Sequence, residues 1–75
     1  MSDLDFKRLQ IIGRRFRDLR LQKNLTQKEL AFMVDVEISQ ITRIERGIIN
    51  TSILNLMKIA DALEISISEF LKEIE

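Results

Sequence analysis

The sequence has 75 residues, 45% of them hydrophobic, with 12 lysines and arginines against 12 aspartates and glutamates, and it holds neither cysteine nor histidine. That length admits a single domain, residues 1–75, and the missing cysteines exclude disulfides and thiolate metal sites. Without histidine, Ser-His-Asp and Cys-His catalysis lack their base, so the chain reads as a non-enzyme with no cofactor, metal or small-molecule substrate.

A chain this short buries only about 60% of its unfolded surface, which calls for a compact core or a second subunit. No stretch approaches the roughly 18 apolar residues of a membrane span. The start, Met1-Ser2-Asp3-Leu4-Asp5, is acidic where a signal peptide is basic. Both features fit a cytoplasmic protein away from membranes. The zero net charge is unevenly spread. Residues 1–46 carry ten basic and seven acidic side chains, and residues 47–75 carry two and five. One end of the molecule therefore suits phosphate.

In chain order, the periodicity predicts five helices and no strands, an all-α fold. The first runs from about Phe6 to Lys23, with Leu9, Ile12, Phe16 and Leu19 on one buried stripe and most of its arginines on the other faces. The second starts at Thr26, where Glu29 completes a capping box and Leu25 and Leu30 form a hydrophobic staple, and it runs to about Val34. Asp35-Val36-Glu37 reads as a tight turn. The third helix spans about Ile38 to Arg46, with Ile41 and Ile44 inward and Gly47 as its left-handed cap. After a loop at 48–51, Ser52 opens a fourth helix through Leu63, with Leu56, Met57, Ile59, Ala60 and Leu63 mostly buried. Ser66 and Glu69 open a short fifth helix that frays at Glu73-Ile74-Glu75.

Leu25 to Gly47 is two short helices around a tight turn, a helix-turn-helix. At 100° per residue, with Ile41 and Ile44 inward, Ser39, Arg43 and Arg46 project outward, flanked by Gln40 and Thr42. Such a polar face suits a major groove, where Arg43 matches guanine O6 and N7, Ser39 and Gln40 donate or accept, and Ile38 meets a thymine methyl.

Here the sequence resembles the lambda-repressor/Cro-like (XRE) helix-turn-helix proteins. The resemblance covers about residues 12–70. It rests on Arg20, Leu25-Thr26-Gln27, Glu29-Leu30-Ala31, Ile41, Ile44-Glu45, Gly47 and Lys58-Ile59-Ala60, Ala62-Leu63. It implies a compact five-helix fold and sequence-specific binding of double-stranded DNA by a transcriptional regulator, a repressor or autoregulator. It further implies base reading at Ile38, Ser39 and Arg43, with Gln40 and Thr42 beside them, and a contact from Gln27 to the DNA backbone. Thr26, Lys28, Arg46 and Asn50 are further phosphate candidates, and the exposed amides at the start of the second helix favour an anion too. The resemblance pairs Arg20 with Glu45 as a structural ion pair. Two departures stand out: Asp35 occupies a turn position usually held by glycine, and Ile48-Ile49-Asn50-Thr51 replaces a basic loop.

A single module of this size buries about 600–1,000 Å² on DNA, so a homodimer on a two-fold operator is expected. Residues 66–75 form the candidate dimerisation helix through Ile67, Phe70, Leu71 and Ile74, with Ile67 and Phe70 also able to close the monomer core. The competing class is an interaction module that uses the same fold to bind a protein partner instead of specific DNA.

Overall fold

The computed structural model describes residues 2–48 and 50–72. They form α1 (Asp3–Gln22), α2 (Gln27–Val34), α3 (Ile38–Arg46), α4 (Ile53–Ala62) and α5 (Ile67–Leu71), and no strand occurs among the described residues. No helix among them is long and apolar enough to cross a membrane.

Hydroxyl caps open every helix but α3. Ser2, Thr26, Ser52 and Ser66 each accept from the amide three residues on, at Asp5, Glu29, Asn55 and Glu69. At α2 the box is complete: Glu29 N donates to Thr26 Oγ1 at 3.0 Å and Thr26 N to Glu29 Oε1 at 2.9 Å. The first helix starts at Asp3, a turn before the expected Phe6. Asp3 and Asp5 extend it by complementing the helix dipole, a signal independent of the apolar stripe.

The helix ends share a second device. Asn24, Asp35, Gly47 and Glu64 all adopt left-handed backbone, with φ of 57°, 58°, 72° and 58°. After each, the next amide reaches back five residues, from Leu25 to Arg20, Val36 to Ala31, Ile48 to Arg43 and Ile65 to Ala60, at 3.0–3.2 Å. This pairing satisfies carbonyls that a helix end leaves open. Only one of the four positions is a glycine, so the turn at Asp35 keeps its left-handed geometry without one.

The core gathers Phe16, Leu30, Ile41, Ile59, Leu63 and Phe70, each essentially inaccessible to solvent. Phe16 and Phe70 stack with ring centroids 4.2 Å apart and planes 12° from parallel, fastening α5 to α1. Phe70 is therefore enclosed within the monomer and has no surface to offer a partner. Met57, expected to be mostly buried, is 46% exposed, because α4 turns Ile59, Ala60 and Leu63 inward instead.

Two glycines set how α1 crosses the end of α3. A Cβ built on Gly13 would stand 2.2 Å from the Ile44 carbonyl oxygen and 2.6 Å from that of Glu45. One on Gly47 would stand 2.6 Å from the Gln10 Cα. The two backbones touch where side chains would normally separate them.

Candidate nucleic-acid interface

The third helix packs Ile41 and Ile44 into the core, and that choice orients everything else on it. Ser39, Gln40, Arg43 and Arg46 are exposed, and Ile38 is half exposed at the helix start. Ser39, Arg43 and Arg46, at intervals of four and three, share the face opposite the core. None of the three side chains has a hydrogen-bonding partner on the protein among the described residues. Their donors and acceptors are left to solvent or a ligand.

Beside this ridge lies a connected polar cluster. Arg20 and Glu45 are each 8% exposed. Arg20 Nε donates to Glu45 Oε2 at 2.7 Å and Nη2 to Oε1 at 3.0 Å, a two-pronged ion pair between α1 and α3. Arg20 Nη1 donates to the Leu25 carbonyl at 2.8 Å, tying in the approach to α2. Gln27 Nε2 donates to Glu45 Oε1 at 3.0 Å. Thr42 Oγ1 lies 2.9 Å from Gln27 Oε1 and 3.1 Å from the Ile38 carbonyl, one hydroxyl proton between two acceptors.

This arrangement changes how two candidates present themselves. Thr42 is half-buried, with its proton turned toward Gln27 and its own helix, so it sits on the flank of the ridge and offers an outside group chiefly its lone pairs. Gln27 is half-buried too. Its carbonyl accepts from Thr42 and one N–H goes to Glu45, which leaves the second N–H of the amide at the start of α2. These contacts link residues 15 and 18 apart in sequence, and no local pattern announces them.

The remaining candidates are spread more widely. Lys28 is exposed on the first turn of α2. Thr26 spends its hydroxyl lone pair and its amide on the capping box. Hydrogen bonds from the Thr26 backbone and side chain hold the Glu29 carboxyl below its ordinary pKa. A negative charge therefore stands two residues along the helix from Gln27. Asn50 is exposed in the loop after α3, lining a small recess with Leu9, Ile12, Ile44, Thr51 and Leu56.

At the C-terminal end of the ridge, a cleft of about 410 Å³ opens between α1 and α3. Gln10, Arg14, Arg17, Glu45, Arg46 and Ile48 line it. Gln10, Arg14 and Arg17 fall at intervals of four and three, one stripe of α1 beside Gly13. That spacing was present in the sequence, but only the crossing of α1 over α3 shows where the stripe points. Among the described residues, no group of His, Cys, Asp or Glu is placed to hold a metal.

A helix-turn-helix family matches residues 16–70, a span that contains the polar cluster and the whole ridge. The chain belongs to that family, of the XRE type. Its helix-turn-helix is α2 and α3. The chain is 39% identical over 62 residues to the control protein C.BamHI of Bacillus amyloliquefaciens, covering 81% of this chain and 76% of that protein. It is similar to the restriction–modification controller protein C.AhdI of Aeromonas hydrophila, with 40% identity and a TM-score of 0.80 over 83% of this chain and 94% of that one. It is also similar to the controller protein C.Esp1396I, solved as a tetramer on its natural 35 base-pair operator, with 28% identity and a TM-score of 0.81 over 99% and 92% of the chains. These helix-turn-helix relatives are named as control or controller proteins, one of them bound to its operator, which agrees with the reading of the chain as a non-enzyme.

The expected dimer residues fare differently from one another. Phe70 is closed inside the monomer, Ile67 is half-buried against the core, and Leu71 is 47% exposed. Ile74 lies outside the described residues. The larger apolar surface is on α4, where Ile53 is 75% and Leu54 61% exposed, with Met57 one turn on. Helical periodicity identified which residues share a face of α4 and α5, but not which of those faces a neighbour would cover.

Proposed function

We propose that this helix-turn-helix protein is a sequence-specific regulator that binds double-stranded DNA as a homodimer and controls transcription from its operator, as a repressor or autoregulator of a restriction–modification operon. The observation that carries this reading is the outward ridge of Ser39, Arg43 and Arg46 on a helix held at its base by the Arg20–Glu45 pair. Laid in a major groove, Arg43 addresses guanine, Ser39 and Gln40 address neighbouring base edges, and Ile38 meets a thymine methyl. Gln27 offers its second N–H to a backbone phosphate, beside the open amides at the start of α2. Lys28, Arg46, Thr26 and Asn50 are the accompanying phosphate contacts. The names of C.BamHI, C.AhdI and C.Esp1396I support the operon assignment, and the operator complex of the last supports the DNA.

The second copy docks through the apolar face of α4, Ile53, Leu54 and Met57, joined by Leu71 of α5. Two ridges so joined read half-sites about one helical turn apart. Introducing Leu54→Asp is expected to yield a monomer by sedimentation with its helix content retained; a dimer that persists moves the interface elsewhere.

One observation favours the rival reading, an assembly module without specific DNA. Phe32 on α2 is 88% exposed with Met33 beside it 52% exposed, adjacent apolar surface of the kind a protein partner covers. Selection of duplexes from a random pool at fixed salt separates the two. The regulator enriches a two-fold motif and loses affinity as salt rises, whereas the assembly module enriches nothing.

A further inference from the structure

The cleft between α1 and α3 holds three guanidinium-bearing side chains, Arg14, Arg17 and Arg46, around one carboxylate, Glu45. That carboxylate is already engaged. Its two oxygens accept two hydrogen bonds from Arg20 and one from Gln27, so its charge is matched from the far side of the cleft. Arg14, Arg17 and Arg46 are all exposed, and none forms an ion pair among the described residues. Like charges gathered in one recess repel, and an anion seated among them removes that cost. Gln10 adds an amide, and Ile48 gives the cleft an apolar wall.

The position of the cleft says which anion. Arg46 belongs to both the cleft and the outward ridge of α3. Glu45 is both a wall of the cleft and the acceptor for Gln27. A duplex lying along the ridge therefore carries its sugar–phosphate backbone past the start of α2 and on toward α1. Gly13 and Gly47 bring the two helices together there, and Arg14, Arg17 and Arg46 line the same cleft.

We propose that Arg14 and Arg17 of α1, together with Arg46, form a binding site for a DNA backbone phosphate flanking the bases read by α3. This rests on the DNA-binding reading above and adds α1 to the contact surface. Contacts of this kind position the protein on the duplex without reading sequence, so the site sets affinity and register, not base preference.

The test compares the wild-type chain with the Arg14→Ala/Arg17→Ala double variant on the duplex the wild type selects, and on the same duplex with one read base changed. Both affinities are expected to fall by the same factor. The slope of log K against log salt should flatten by at least about 0.9 per subunit, the value for one phosphate. Arg14→Lys/Arg17→Lys should restore most of the slope, because charge and not packing is at stake. In a second arm, single neutral methylphosphonates are scanned through the flanks of the half-site. At one flanking position the substitution should weaken the wild type and leave the double alanine variant indifferent. An unchanged slope, an altered base preference, or equal sensitivity of both proteins at every position overturns the site while leaving the DNA reading in place. A wild type that selects no duplex removes both.

Discussion

The two halves of this molecule are built by different physics. Around α2 and α3 a buried ion pair, a half-buried amide and a hydroxyl are joined across three helices. Around α4 and α5 the core contacts are apolar, closed by the stacked Phe16 and Phe70, and α4 also exposes Ile53, Leu54 and Met57 beside its charged Lys58 and Asp61. Directional bonds fix the angle of α3, as the proposed reading of base edges requires, whereas an apolar face tolerates a partner that buries area. The charge follows the same division, positive in residues 1–46 and negative in 47–75. On the reading proposed above, the difference teaches that one face is shaped for a polar polymer and the other for a second copy.

The comparison is most readily broken at Glu45. Glu45→Ala leaves Arg20 buried without its counter-charge and Gln27 without its acceptor, and should cost about 3–5 kcal/mol. Thermal denaturation would measure it, and a loss below about 1 kcal/mol would mean that water reaches the pair. On the ridge, Arg43→Ala is expected to weaken binding to the selected duplex by about 1–3 kcal/mol and to relax preference at one base. Its melting temperature should stay put, since the side chain touches nothing inside. Equal binding to all single-base variants before and after substitution would remove Arg43 as a reader.

At the cap of α2, Thr26→Ala should cost about 1 kcal/mol of stability. The linked titration has a definite sign. Glu29 has a lowered pKa in the fold, so its contribution is present above the unfolded carboxylate value and is lost as pH falls through the lowered folded one. Acid denaturation of Glu29→Gln should therefore lack that part of the decline; an unchanged acid limb would place the loss on other carboxylates. The smallest effect expected is a gain. Glu64 holds φ at 58°, and its side chain contributes an exposed 3.3 Å pair to Lys23, while the cap's backbone bonds do not need a side chain. Glu64→Gly should raise stability by about 1 kcal/mol, read as a shift in the urea midpoint.

Much of the fold was legible in one dimension because helix starts and stripes are local. Thr26 with Glu29, and Ile41 with Ile44, say where α2 begins and which way α3 faces. The start of α1 was legible only from Ser2, Asp3 and Asp5, outside the apolar stripe. What lay beyond reading were contacts made by tertiary crossing. The stacking that removes Phe70 from the surface, the hydroxyl of Thr42 turned to Gln27, and the convergence of the α1 arginines on Arg46 all depend on which helix lies over which. Glycine was a partial signal. Gly47 announced a helix end, whereas Gly13 inside α1 announced nothing until its neighbours were seen.

The contact at Gly13 has an evolutionary corollary. With bare backbone against bare backbone, the crossing has no slack, and even one added methyl must lever α3 away from its seat. If α3 reads bases as proposed, descendants of this chain that acquire new operators are therefore steered toward exchanging side chains such as Ser39 and Arg43 upon an unmoved scaffold. Recognition can drift while the frame that aims it stays put.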